Sequence, residues 1–215
     1  MFDIDVARAI PPLSLLDPES GETYVAAQCL VRLHSYPIGM LYLMPTGDGM
    51  TAAELADVIW CELGPEILEH TRRDGCPPVA SLGAAGLPGH DVPGCLQERA
   101  AFLDGCPCVT VVVPTRDRPD RVASCARALL AMDYPRFEVI VVDNAPATTA
   151  TADLFRERRA ELAHVRYVCE QQPGASNARN RGLELAGTEI VAFTDDDTIP
   201  DRHWLTEIVR GFWAA

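Results

Sequence analysis

Ile190-Val191-Ala192-Phe193-Thr194-Asp195-Asp196-Asp197 is the stretch that decides the fold of this chain. Four apolar residues run directly into a threonine and three consecutive aspartates. A buried strand does not accept three adjacent carboxylates, because burying unpaired charge costs too much. The strand therefore ends near Phe193, and the carboxylates stand in an open cleft. Close carboxylates repel one another unless a cation or positive groups lie among them. Their hard oxygen atoms suit Mg²⁺ or Mn²⁺, usually shared with a phosphate, so a metal-diphosphate site is the leading reading. The simpler alternative is an acidic loop that caps the helix after it.

Upstream the same theme repeats. Val109-Thr110-Val111-Val112-Val113 is a β-branched run that leads into Pro114-Thr115-Arg116-Asp117-Arg118-Pro119. Val139-Ile140-Val141-Val142 leads into Asp143-Asn144-Ala145-Pro146, and His164–Cys169 is a third, more mixed run. Continuous apolar runs of this length read as strands buried on both faces. Between them lie helical patterns. Val122, Cys125, Ala126, Leu129 and Leu130 recur at helical spacing behind Pro119, which suits a first helical turn. Leu154, Phe155 and Leu162 suggest a second helix. Ala175–Ala186 suggests a third, stopped by Gly187, and Trp204, Leu205, Ile208, Val209 and Phe212 form the apolar stripe of a fourth. Strands that alternate with helices imply right-handed crossovers and a mainly parallel sheet, in the α/β class. Ligands of such sheets bind beyond the carboxyl ends of the strands, which is where these polar residues fall.

Four ordered pieces carry a family resemblance. Val113-Pro114-Thr115-Arg116-Asp117-Arg118, Val141-Val142-Asp143-Asn144, Gly174-Ala175-Ser176-Asn177-Ala178-Arg179-Asn180-Arg181-Gly182 and Phe193-Thr194-Asp195-Asp196-Asp197 follow one another with family-like spacing. From about Val109 to Trp213 the chain resembles the first half of a family 2 glycosyltransferase domain of GT-A fold, a Rossmann-like sheet with flanking helices. The resemblance implies a sugar transferred from a nucleoside-diphosphate sugar donor to an unknown acceptor, with inversion and with Mn²⁺ or Mg²⁺. It implies nucleotide binding by Pro114, Thr115, Arg116, Asp143, Asn144, Gly174, Arg179, Asp195 and Asp196. Asp197 would hold the metal with Asp195 near it, and which aspartate binds directly stays open. The general base of such a transferase lies well after the Asp-Asp-Asp motif, so it is expected beyond residue 215 and no catalytic residue is assigned. On this reading the chain is a fragment that holds a nucleotide and transfers nothing. Small leaders of this kind precede family 2 transferases in some bacteria.

The chemistry of each piece is consistent with those roles. Arg116 is a planar cation able to stack on a base. Asp143 or Asn144 can meet the polar edge of a base from a strand-end loop, although turn residues of this type also bond their own backbone. Gly174 removes a side chain where the backbone must approach a ligand. Arg179, on the helix behind it, can offset charge on a leaving phosphate, and the bland reading is a solvated helix arginine. Other nucleotide folds fit worse. No G-x-G-x-x-G follows a strand, and the chain has no lysine, which excludes a P-loop. A D-x-D-x-T phosphatase would need threonine where Ile199 stands.

Composition sets the frame. The net charge is −13 over 215 residues. Met1–Asp104 has 5 Arg against 15 acidic residues, net −10, and Gly105–Ala215 has 13 Arg against 16, net −3. Such acidity disfavours nucleic acid or an anionic membrane as partner. No basic leader precedes an apolar run, and no run approaches a membrane span, so a cytoplasmic setting is expected. Half a sheet would leave apolar surface near Ile190–Phe193 and Trp204–Phe212 uncovered and prone to self-association. A non-catalytic nucleotide-binding or interaction protein built on a partial transferase domain is the alternative function.

The first part of the chain is less specific. Tyr24–Leu33 and Gly39–Met44 read as two strands with Ser35-Tyr36-Pro37 at the turn. Thr51 with Glu54 makes a capping box for a helix that Gly64-Pro65 is expected to kink or end. Residues 75–95 are rich in Gly and Pro and read as linker, and Leu96–Leu103 as a short helix. The expected division is a small α+β module over 1–74, a linker and short helix over 75–104, and the nucleotide-sugar-binding half over 105–215. Of eight cysteines, Cys29, Cys61, Cys125 and Cys169 fall in apolar stretches and read as small core residues. Cys76, Cys95, Cys106 and Cys108 cluster around loops, but spacings of 19 and 11 positions match no common zinc finger, so zinc is not expected there. His34, Tyr36 and His70 are explained by a turn and a helix end.

Overall fold

The computed structural model describes residues 2–17, 20–89 and 92–213; Trp213 is described in its backbone only. The chain forms two compact units, Met1–Ala100 and Ala101–Ala215.

The first unit is α+β. Its strands are β1 (Phe2–Asp5), β2 (Leu13–Ser14), β3 (Ala27–Leu33), β4 (Tyr36–Leu43) and β5 (Gly49–Met50), followed by α1 (Ala52–Arg73). β1 pairs in parallel and β4 in antiparallel with β3. Residues of β3 alternate, so that Ala27, Cys29, Val31 and Leu33 point inward, as a half-buried strand requires. They pack with Leu55, Ile59 and Ile67 of α1. Thr51 caps α1 as expected: its Oγ1 accepts from Glu54 N at 3.3 Å, and Glu54 Oε2 accepts from Thr51 N at 2.8 Å.

Three expectations for this unit are corrected. Helix α1 does not end at Gly64-Pro65 but continues to Arg73. Ile59 and Ile67, fully buried on either side of the proline, offset the missing hydrogen bond. The β3–β4 turn is His34-Ser35 rather than Ser35-Tyr36-Pro37, because Leu33 pairs with Tyr36 and Pro37 is accommodated opposite Arg32 beside a register shift. The described part of the Gly- and Pro-rich stretch is not a free linker. Leu82 and Leu87 are buried in the core of the first unit, Leu87 N donates to Val6 O at 2.8 Å, and Ile10 N donates to Ala84 O at 2.9 Å. The division therefore falls at Ala100, inside α2 (Gly94–Asp104), instead of at residue 74. His90 and Asp91 of that stretch lie outside the described residues.

The second unit has β6 (Val109–Thr115), α3 (Pro119–Leu130), β7 (Phe137–Asn144), α4 (Ala150–Glu157), β8 (Val165–Glu170), α5 (Ala175–Leu185), β9 (Ile190–Phe193) and α6 (Trp204–Trp213). All pairings are parallel, in the order β8-β7-β6-β9. This is the α/β fold expected, with a four-stranded parallel sheet flanked by helices. The uninterrupted apolar runs are explained by burial on both faces. Val111, Val113, Val139 and Val141 pack with Leu129 of α3 and Leu205 of α6, while Val112, Ile140 and Val142 pack with Ala178 of α5. Gly182 lets α5 lie close on the sheet: a Cβ there would stand 2.3 Å from Val112 Cγ1. That approach fixes where the N-terminus of α5 emerges. The sheet order reverses at β6, because the chain builds β7 and β8 on one side of it and returns to place β9 on the other, and the carboxyl end of such a switch point is open to a ligand.

Two of the four cysteines expected in the core are elsewhere. Cys29 and Cys125 are buried, but Cys61 and Cys169 are exposed, since each falls on the outward position of its element. Among the described residues no helix is long and apolar enough to cross a membrane.

Candidate functional site

A cavity of about 440 Å³ opens at the carboxyl ends of β6, β7 and β9. Pro114, Thr115 and Arg116 line it from the end of β6, Asn144 from β7, Gly174 and Arg179 from α5, and Asp195, Asp196 and Asp197 from the loop after β9. Of the residues singled out from the sequence, all but Asp143 line this one cavity.

The register of the sheet brings the aspartates there. Val112 pairs with Phe193, and Thr194 N donates to Val112 O at 3.2 Å, so the following residues run alongside the end of β6. Thr115 Oγ1 then donates to Asp196 Oδ2 at 2.7 Å. Asp196 is the buried member of the triplet, 4% exposed, and Arg118 Nη1 donates to its other oxygen at 3.2 Å. Asp195 and Asp197 have side chains 63% and 48% exposed. Arg179 pairs with Asp195 at 3.0 Å, and Arg121 pairs with Asp197 at 3.3 Å. The repulsion expected among three adjacent carboxylates is thus relieved by three arginines, of which Arg118 also stands 3.8 Å from Asp197.

Arg118 and Arg121 escaped the sequence reading, although a signal was available. Arg118 caps α3 and Arg121 lies in its first turn. Cations are unfavourable at the positive end of a helix dipole, so two arginines there need acidic partners or an anion.

The loop between β8 and α5 is held by Asn144. Its Nδ2 donates to Gln172 O at 2.8 Å, and its Oδ1 accepts from Gly174 N at 2.7 Å. Gly174 has φ 132°, outside the range open to most side chains, and passes the chain into α5. Gly174 and Ala175 line the cavity at the N-terminus of α5, a setting that favours negative charge, although the Gly174 N–H itself is taken by Asn144. Arg179 sits one turn further on.

Asp143 is fully buried beside this end of β7. Tyr167 Oη donates to its Oδ2 at 2.9 Å, while Oδ1 has no hydrogen-bond partner among the described residues. Burial pushes its carboxyl above the ordinary value, only partly opposed by the Tyr167 hydrogen bond. Asp117 is used locally: at φ 51° it accepts from the backbone of Ala147 and Thr148, and those bonds hold its carboxyl below the ordinary range. Arg116 lines the cavity half exposed, and its ion pair among the described residues is with Asp117 at 3.9 Å.

The donor set fits a divalent cation in one particular way. Among the described residues the carboxylates of Asp195, Asp196 and Asp197 do not converge as three ligands around one point. Mg²⁺ and Mn²⁺ do not need that, since they are commonly held by one or two carboxylates and completed by phosphate oxygens and water. The exposed Asp195 and Asp197 can serve so; Asp196 is already committed to Thr115 and Arg118.

Residues 110–212 match the family model described as Glycosyl transferase family 2. The second unit therefore resembles glycosyl transferase family 2 over a little under half of the chain. Curated relatives agree. Glycosyltransferase AglE of Haloferax volcanii is 31% identical over 102 residues, which span 46% of this chain and 33% of the relative. The Pre-mycofactocin glycosyltransferase of Mycobacterium tuberculosis is 32% identical over 104 residues, 48% of this chain and 21% of the relative. The match therefore spans a third or less of these two relatives. Among solved structures, the mannosyltransferase PcManGT from Pyrobaculum calidifontis, determined with GDP-Man and Mn²⁺, is 30% identical, with a TM-score of 0.44 over 53% of this chain and 37% of that one.

Proposed function

We propose that the second unit binds the nucleoside diphosphate of a sugar donor, as the donor side of an inverting glycosyl transfer to an acceptor not yet identified. The observation that carries this reading is the meeting of the α5 N-terminus, Arg179 and the two exposed carboxylates in one cavity at the switch point of the sheet. The backbone N–H groups of α5 and the Arg179 guanidinium take the diphosphate, and Arg179 exchanges its Asp195 partner for phosphate oxygen. That exchange offsets the charge that builds on the diphosphate as the sugar departs. Arg116 covers the base, Pro114 and Thr115 shape its wall, Asp143 supports the strand end from behind it through Tyr167, and Asn144 keeps Gly174 in place. Asp195 also reaches toward the ribose. Asp197, with Asp195, is the residue that would hold Mn²⁺ or Mg²⁺, which supplies neutralisation of the diphosphate charge.

Every carboxylate lining the cavity already faces an arginine, so we assign none of them as general base. Residues 1–215 alone are expected to bind donor without transferring sugar. A cytoplasmic setting, where nucleotide sugars are made, fits this reading. Exposed Phe193, Ile199 and Phe212 favour self-association, which light scattering during gel filtration reads directly.

Calorimetry with UDP and GDP tests the proposal. Binding is expected to be weak with a chelator present and stronger with Mn²⁺ or Mg²⁺, because the acidic triplet repels a bare diphosphate. Equal affinity with and without the cation would count against the metal role, and no binding of any nucleoside diphosphate would remove the donor reading altogether.

A further inference from the structure

We propose that His34, His70, Asp74 and Cys95 form a tetrahedral zinc site in the first unit. Four ligand atoms, Nδ1 of His34, Nε2 of His70, Oδ2 of Asp74 and Sγ of Cys95, lie within 4.8 Å of one another. Five of the six edges are 2.7 Å for His34–Asp74, 3.2 Å for His70–Asp74, 2.9 Å for Cys95–Asp74, and 3.8 and 3.7 Å from the sulfur to the two imidazole nitrogens, and the sixth, between the imidazole nitrogens, is at most 4.8 Å. Zinc bonds of about 2.0–2.3 Å place tetrahedral ligands roughly 3.3–3.6 Å apart. The edges of 3.2, 3.7 and 3.8 Å lie within about 0.2 Å of that spacing. The two short edges need to open by about 0.6 Å to reach that spacing.

The direction of the groups separates a metal site from a catalytic triad. In a Cys-His-Asp relay, the imidazole meets the nucleophile through one nitrogen and the carboxylate through the other. Here each imidazole turns the same nitrogen to both Cys95 and Asp74. All four groups therefore aim at one point. Without a cation, Asp74 Oδ2 would be the focus of three donors, more than the roughly two lone pairs an oxygen offers. The Asp74 side chain is 4% exposed and those of His34 and His70 are 11% and 16% exposed. Zn²⁺ with one thiolate and one carboxylate makes a neutral buried unit. On binding, the Cys95 S–H bond breaks, its proton goes to solvent and an S–Zn bond forms, with no change of oxidation state.

The surrounding structure holds these ligands in place. His34 and Ser35 form a two-residue turn with φ 54° and 67°. Such a turn prefers Asn-Gly, so a histidine there is not explained by the turn itself. Asp74 is the C-cap of α1, and its second oxygen accepts from Cys95 N at 3.1 Å. The ring of Tyr36 stands 5.8 Å from that of His70, and the Arg99 guanidinium lies 4.1 Å from the Tyr36 ring centroid. Supporting contacts of this kind orient ligands and tune a metal. Two imidazoles, a thiolate and a carboxylate suit zinc over Mg²⁺ or Ca²⁺, and four protein ligands leave no open position, so the site is structural.

The test uses the full chain, purified without chelator and with any tag removed. Elemental analysis is expected to find one zinc per chain, and replacement by Co²⁺ to give a thiolate-to-cobalt charge-transfer band with the intense visible bands of tetrahedral cobalt. Cys95→Ala should lose the band and the zinc, whereas Cys76→Ala should keep both. A wild-type chain that holds no zinc and gives only the weak spectrum of octahedral cobalt overturns the proposal, as does full zinc retention by Cys95→Ala. Should Cys95→Ala fail to fold, the wild-type cobalt spectrum decides alone.

Discussion

The carboxylates of Asp195, Asp196 and Asp197 stand apart, each facing an arginine, whereas Asp74 sits inside a ring of two imidazoles and a thiol. The first arrangement is adaptable. Arg179 and Arg121 are exposed, and their ion pairs contribute about 0–1 kcal/mol each, so they give way easily to a phosphate or a cation. The second is organised before anything binds, since its ligands come from a turn, a helix end and a second helix start. A site for an exchanging nucleotide needs the first kind of arrangement. A site for a permanently held ion needs the second.

The largest effect expected from this contrast is at Asp74. Removing zinc from the first unit, with a strong chelator, should destabilise it by about 4 kcal/mol if free zinc stands near a thousand times its dissociation constant. Thermal unfolding followed by circular dichroism should then show a transition lowered by more than about 10 °C. The same chelator should leave the unfolding of the second unit unchanged. Equal shifts in both transitions would erase the distinction between the two carboxylate groups.

Arg179→Ala comes next. It should weaken nucleoside diphosphate binding by about 1.5–3 kcal/mol, the range of a charged hydrogen bond, and nucleoside binding far less. Calorimetry on the two ligands separates a phosphate contact from general damage to the cavity, which would lower both alike.

Within the triplet, burial should sort stability from binding. Asp196→Ala strands Thr115 and Arg118 and is expected to cost about 1–3 kcal/mol of stability. Asp197→Ala should cost under about 1 kcal/mol, its pairs being half exposed, yet reduce the gain in nucleotide affinity from Mn²⁺. Urea titrations of both variants check the order, and its reversal would assign the ligand role to Asp196.

The smallest effect concerns Asp143 and pH. Its carboxyl is raised in the folded chain because of burial, so ionisation is harder folded than unfolded. Stability from this group is present below the unfolded value near 4 and is lost as pH rises through the folded one. Asp143→Asn should therefore gain stability relative to the parent between pH 4 and pH 7. A difference that stays flat with pH would show that Asp143 is charged at no cost.

Much of the second unit was legible because its signals are local. A β-branched run buried on both faces, a proline at a helix start and a carboxylate triplet after a strand each have one cheap structural reading. The ordered motifs then placed Thr115, Asn144 and Asp195–Asp197 at strand ends and Gly174 and Arg179 at a helix start, and the parallel register brought them to one cavity. Arg118 and Arg121 were missed: two arginines at a helix start call for an acidic partner or an anion, but which carboxylates answer is decided only by the fold. In the first unit the Gly- and Pro-rich stretch misled, because composition says nothing of Leu82 and Leu87 finding a core to fill.

By itself the sequence determined the family resemblance, the alternation of strand and helix and the residues that end each strand, because these depend on neighbours a few positions apart. The tertiary structure alone decided which arginine faces which aspartate, how the amide of Asn144 is spent, and that His34, His70, Asp74 and Cys95 share one point. Those ligands stand 36, 4 and 21 positions apart along the chain. Helical spacing links only His70 with Asp74; the docking of α1 on the β3–β4 hairpin and the return of the chain at Gly94-Cys95 bring His34 and Cys95 to them.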